Sequence, residues 1–110
     1  FIDVVNLPNI GQIDNLPRTA VVETMGLVDA RGFTPLAIGK LPDNVLPLVE
    51  IHCRIQMMTL RAALTGDREL AFQALSLDPL CSHLSADKVR KMGEELMAAT
   101  SDWLPQFRRT

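Results

Sequence analysis

Tyrosine is absent from this 110-residue chain, aromatic residues make up only 5% of it, and cysteine occurs twice. Without tyrosine there is no phenol to act as an acid, base or nucleophile. Two cysteines are too few for a disulfide framework. Cys53 sits in a helical pattern and Cys81 in a loop, so both are expected to be reduced, in a cytoplasmic setting. Basic residues do not cluster before the closing Arg108-Arg109, and the net charge is −2. That leaves no electrostatic footprint for nucleic acid. The longest apolar stretch is broken by Glu50 and Arg54, so no membrane span is expected. Gly11, Gly26, Gly32, Gly39, Gly66 and Gly93 never reach G-x-G-x-x-G spacing, which excludes a glycine-rich phosphate loop. There is also no initiator methionine and no signal peptide. The chain opens on Phe1-Ile-Asp-Val-Val, already apolar and extended, and is expected to be the end of something longer.

What is present is enough for one ordinary domain with a core, since 47% of the residues are apolar. The most informative segment runs from Asn6 to Pro17 and holds three asparagines, two prolines and a glycine. No helix persists through such a composition. Its backbone must be held by specific hydrogen bonds rather than by a repeating ladder. A stiff, amide-rich loop of this kind suits the wall of a polar small-molecule site, and it equally suits plain turn chemistry.

The remaining pattern predicts an α+β chain: an extended segment and Asn-rich loop over 1–17, a β-hairpin over 18–40, and helices over 41–107. Residues 1–5 read as the tail of a strand. Residues 20–29 are rich in β formers, Asp29-Ala-Arg-Gly32 is a turn signal, and 33–39 reads as the returning strand. Pro35 has no N–H to donate, so that strand belongs at a sheet edge. Leu41-Pro42-Asp43 opens a helix to about Leu64, closed by Thr65-Gly66, with Pro47 in its first turn or splitting off a short preceding one. Two apolar rows run along it: Leu46, Val49, Cys53, Met57, Leu60 and Leu64, and Leu48, Ile51, Ile55, Met58 and Ala62. A surface helix needs one such row, so this helix is expected to be buried on two sides. Asp67 caps a second helix whose apolar residues are Leu70, Ala71, Ala74, Leu75 and Leu77, and Asp78-Pro79 ends it. Ser85 begins a third, with Val89, Met92, Leu96 and Met97 inward. Trp103-Leu104-Pro105-Gln106-Phe107 is expected to dock the end.

Candidate chemistry within the chain is sparse. His52 and Cys53 are adjacent, and neighbouring helical residues point about 100° apart, so they do not grip one metal or form a nucleophile–base pair. His52 and Gln56 share a face and need partners, either in a neighbouring loop or in a ligand. Asp3, Asp14 and Glu23 flank the Asn-rich loop, but nothing fixes their separation as a glycosidase pair. These residues alone do not make a self-sufficient active site.

Four motifs in order carry a resemblance. They are Asn9-x-Gly11-x-Ile13-x-Asn15-Leu16-Pro17 with Val22-Glu23 after it, and Ala62-Ala63-Leu64-Thr65-Gly66-Asp67-Arg68. Then come Ala71-Phe72-Gln73-Ala74-Leu75-x-Leu77-Asp78-Pro79-Leu80 and Trp103-Leu104-Pro105-Gln106-Phe107. Together they resemble the C-terminal region of glycoside hydrolase family 4, over nearly the whole chain. The resemblance implies part of a larger substrate domain like the C-terminal domain of lactate and malate dehydrogenases. It implies a parent enzyme that cleaves glycosides with NAD and a divalent metal, usually manganese, by oxidation, elimination, addition and reduction. In that route a hydride leaves C3 of the sugar, which acidifies the C2 proton. The family's NAD loop, metal-binding Cys and His, and catalytic Asp and Tyr lie upstream of the matching region. This chain is therefore expected to bind no NAD or metal by itself. What carries over is the loop, with Asn6, Asn9, Asn15 and Gly11 as substrate-binding candidates; their partners would be the rest of the parent, a glycoside and a second subunit. Met57 and Arg61 stand where relatives tend to carry glutamates. A free-standing helical interaction module and a small-ligand-binding domain using His52 and Gln56 remain alternatives.

Overall fold

The computed structural model describes residues 1–107, so Arg108-Arg109 lie outside the described residues. The chain forms a three-stranded antiparallel sheet followed by three helices, the α+β class expected. It divides into two compact units, Phe1–Cys53 and Arg54–Thr110.

In the first unit the sheet order is β1 (Ile2–Pro8), β2 (Val21–Asp29), β3 (Gly32–Pro35). Val5 pairs with Thr24 and Gly26 with Pro35. Along β2, buried Val22, Thr24 and Gly26 alternate with exposed Val21, Glu23 and Met25, the period-two signature of a half-buried strand. Val4 and Ile2 lie opposite Met25 and Leu27, so the outward face is apolar too. The β2–β3 turn is closed by Asp29, which accepts from the Arg31 N–H at 2.8 Å and from its guanidinium at 2.7 Å. Those bonds hold the Asp29 carboxyl below the usual carboxylate range.

Two strand boundaries differ from the sequence expectation. β1 runs to Pro8 because Pro8 closes an outer strand, where a missing N–H costs little. Asn6 is therefore a strand residue rather than a loop residue. β3 stops at Pro35; the Leu36 N–H still donates to the Met25 carbonyl of β2 at 3.0 Å, but further on the Ile38 N–H donates to the Gln12 carbonyl at 2.8 Å and Ile13 bridges Gly39. The returning segment thus builds the Asn-rich loop instead of lengthening the sheet.

Helix α1 (Leu46–Thr65) starts later than Leu41 because residues 43–45 form a separate turn, with the Val45 and Leu46 N–H groups on the Pro42 carbonyl. Pro47 falls in its first turn. The first unit's core gathers Ile13, Leu16, Ala20, Val22 and Cys53, with Leu41, Leu46 and Val49 against it. In α1 the first apolar row is buried at Cys53, but Met57, Leu60 and Leu64 continue it into solvent, Leu64 being 78% exposed.

The second unit holds α2 (Arg68–Ser76), α3 (Ala86–Ala99) and three short 3₁₀ turns. The Asp67 carboxylate caps α2 by accepting from the Leu70 N–H at 3.0 Å, and Asp78 caps the 3₁₀ turn at Pro79 in the same way. α2 and α3 meet at Gly93, where a methyl group would come within 2.7 Å of the Phe72 ring. Arg90 lies over that ring at 5.2 Å and grips Glu69 with two bonds of 2.6 and 2.8 Å, with Glu94 at 3.2 Å. The Glu69 carboxyl is held low by the Arg90 guanidinium bond. Three inward assignments need correction. Phe72 joins Ala74 as a buried residue of α2 while Leu77 is exposed, because α2 ends at Ser76 and Leu77 falls beyond its last turn. Leu96 is exposed. Phe107 is buried at the chain's end, but the 3₁₀ turn Ser101–Trp103 aims the indole outward, leaving Trp103 78% exposed.

Candidate functional site

The segment from Asn9 to Ala20 connects β1 to β2, and its shape comes from side-chain amides. The Asn9 backbone N–H donates to the Ala20 carbonyl at 2.8 Å, and its carbonyl accepts from the Thr19 N–H at 3.0 Å, so the loop closes on itself. Inside the closure the Asn9 side chain is 1% exposed. Its Nδ2 donates to the carbonyls of Ile13, Leu16 and Pro17 at 2.9, 3.2 and 3.2 Å. Its Oδ1 accepts from the N–H groups of Gly11 and Ile13, both at 3.2 Å. One amide thereby replaces the ladder that this sequence cannot form.

Gln12, which the sequence reading passed over, performs the same service beside it. Its buried side chain donates from Nε2 to the Pro8 carbonyl at 2.9 Å and accepts at Oε1 from the Ile10 N–H at 2.7 Å. A glutamine directly before Ile13, in a loop too short of other polar partners, was the available signal, since a buried amide must be satisfied. Asn15 anchors the far end. Its amide exchanges two bonds with the backbone of Leu41, donating to the carbonyl at 3.0 Å and accepting from the N–H at 2.9 Å.

Of the four candidate residues, Asn9 and Gly11 are brought together, Asn15 ties the loop to residue 41, and Asn6 stands on β1. The Asn6 amide faces outward and donates to Glu23 Oε2 at 3.4 Å. Gly11 adopts φ +138°, a region that disfavours side chains, and lies at the loop's turn. Thr19 also takes a left-handed conformation, φ +72°, at the point where the loop re-enters the sheet. The result is a turn whose internal amides are occupied and whose outside carries the exposed side chains of Ile10, Asp14, Arg18 and Thr19.

The described residues contain no group of three or more His, Cys, Asp or Glu side chains placed to hold an ion. His52 is exposed and Cys53 buried, so the pair faces different ways, and Gln56 is exposed as well. No helix among the described residues is long and apolar enough to cross a membrane.

Residues 2–81 match the family model for the "Family 4 glycosyl hydrolase C-terminal domain". The chain is thus a domain of a sugar-cleaving enzyme class, and it belongs to glycoside hydrolase family 4, as part of that family's C-terminal region. It is 39% identical to the alpha-galactosidase of Bacillus subtilis, over 94% of this chain and 24% of that protein. It is 43% identical to the alpha-galacturonidase of Thermoanaerobacterium saccharolyticum, over 91% of this chain and 21% of that protein. The chain therefore spans less than a quarter of the length of these curated relatives. Among solved structures it is similar to a 6-phospho-alpha-glucosidase from gut microorganisms in complex with NAD and glucose-6-phosphate. That likeness has a TM-score of 0.87 at 27% identity, over 96% of this chain and 23% of that one. It is also similar to the 6-phospho-beta glucosidase of Thermotoga maritima with manganese, NAD+ and glucose-6-phosphate. There the TM-score is 0.81 at 27% identity, over 94% of this chain and 25% of that one.

Proposed function

We propose that this chain is the C-terminal part of a glycosidase that cleaves O-glycosyl bonds by the oxidation–elimination route, with NAD and manganese bound by the rest of the parent. The observation that carries this reading is the family match over residues 2–81, which includes the whole Asn-rich loop. Solved relatives of similar fold hold NAD, manganese and glucose-6-phosphate, which supports the same cofactors in the parent.

In this reading the loop forms part of the wall of the sugar site. Asn9, with both ends of its amide on the loop's own backbone, and Asn15, bonded to the backbone of Leu41, set the wall's shape. Gly11 lets a ligand approach the backbone, and Asn6 offers an outward amide that both donates to and accepts from hydroxyls. The apolar rows left in solvent, Met57, Leu60 and Leu64 on α1 and Val4, Val21 and Met25 on the sheet, serve contacts with the parent and a second subunit. The buried thiols of Cys53 and Cys81 support a cytoplasmic parent.

The isolated 110-residue chain is expected to bind no NAD and to hydrolyse nothing. Calorimetric titration with NAD and a nitrophenyl glycoside assay check this. Turnover by the pure chain would overturn the division of labour.

A further inference from the structure

The outward face of the sheet is apolar with one ionised group set into it. The register pairs Ile2 with Leu27, Val4 with Met25, Asn6 with Glu23 and Pro8 with Val21, and alternate residues of a strand point the same way. Ile2, Val4, Val21 and Met25 are 59%, 53%, 57% and 43% exposed. Glu23 stands between Val21 and Met25 on that face and is exposed as well. Its Oε2 accepts from the Asn6 amide at 3.4 Å, a long bond, and among the described residues its carboxylate meets no cation. The carboxylates of Asp29 and Glu69, by contrast, are each taken up by an arginine of the chain.

We propose that this face docks against the remainder of the parent's own chain, on a surface that is apolar around one arginine or lysine, and that this cation pairs with Glu23. This rests on the reading that the exposed sheet residues serve a contact with the parent. A contiguous exposed apolar patch marks an interaction surface. The chain spans less than a quarter of the length of its curated relatives, so the larger part of a parent of that size is there to cover it. Covering the face takes Glu23 out of water, which is costly unless a charge of opposite sign and good hydrogen bonds meet it. Asn6 supplies one weak donor to Oε2 and leaves Oε1 open to a guanidinium or an ammonium. A second copy of the sheet turned onto this face would offer Glu23 an apolar side chain or another carboxylate, and either leaves it uncompensated.

The test uses the full-length parent and its Glu23→Gln and Glu23→Lys variants. Radical oxidation of Met25 and carbodiimide-driven amidation of Glu23 are read by mass spectrometry, each in the native and the urea-unfolded protein. Both reactions are expected to be slowed in the native parent. The thermal midpoint of Glu23→Gln is expected to fall by about 5 °C, since it leaves the partner's charge buried and unpaired. Glu23→Lys should fall further, because it sets two like charges together. A protected Met25 with both variants within about 1 °C of wild type, the ordinary range of a surface change, leaves the apolar contact standing and overturns the cation pair. Native Glu23 amidated as fast as in the unfolded protein overturns it too. Met25 oxidised at the unfolded rate shows the face free, and both readings fall. Protection of Met25 that disappears when light scattering shows the parent diluted to monomers assigns the face to a second copy and overturns the docking within one chain.

Discussion

Replacing Asn9 by alanine is expected to destabilise the first unit by about 3–5 kcal/mol, because buried backbone groups left unpaired cost about 1–3 kcal/mol each. Five side-chain bonds disappear at once, three to carbonyls and two from N–H groups, in a place that is 1% exposed. The total stays below a simple sum, since a collapsing loop lets water reach some of the freed groups. Against a total stability of about 5–15 kcal/mol for an ordinary domain, this is most of the margin. Asn9→Asp is the sharper variant, because it keeps the shape and both acceptor bonds. It loses the three donations and turns a negative charge toward three carbonyl oxygens. The folded state then raises the pKa of the introduced carboxyl, so stability is retained at low pH and lost as pH rises through that value. Urea unfolding of both variants across pH checks the pair. A change within about 0.5 kcal/mol for Asn9→Ala, the ordinary range of a surface substitution, would show that the amide does not hold the loop.

Gly66→Ala is the second large effect, in the other unit. Gly66 follows α1 at φ +72°, and its N–H and that of Asp67 both donate to the Ala62 carbonyl, at 2.8 and 3.2 Å. A left-handed backbone costs a residue with a Cβ about 1–2 kcal/mol. Here the new methyl also meets the Gln106 carbonyl oxygen, which belongs to the backbone and does not rotate away. Relieving that overlap moves the final turn and disturbs the buried Phe107. The overpacking adds about 1–3 kcal/mol, so the expected loss is roughly 2–5 kcal/mol. Gly39→Ala supplies the control, since Gly39 has a similar φ of +80° but open space around it. It should lose the conformational part alone, about 1–2 kcal/mol. Equal losses at the two glycines in thermal unfolding would contradict the steric account.

Features written in adjacent residues could be read before the structure. The turn at Asp29–Gly32, the edge position of Pro35, the Asp67 cap, the stop at Asp78-Pro79 and the start after Ser85 each depend on neighbours within four positions. The misses depend on distant partners. β3 ends early because residues 38 and 39 bond residues 12–14, and no local pattern encodes that competition. Phe72 is buried because Gly93, far along the chain, leaves room for its ring.

The site was legible in part, for a related reason. Composition marked the loop as amide-built, but it could not show which amides are used internally. The structure divides them, with Asn9, Gln12 and Asn15 bonded to backbone and Asn6 turned outward.

The most direct measurement is glycoside hydrolysis by the full-length parent in D₂O, with NAD and manganese present together and each removed in turn. The account predicts turnover that requires both, with deuterium carried into C2 of the released sugar. Hydrolysis that proceeds without NAD, or that leaves C2 unlabelled, would contradict it.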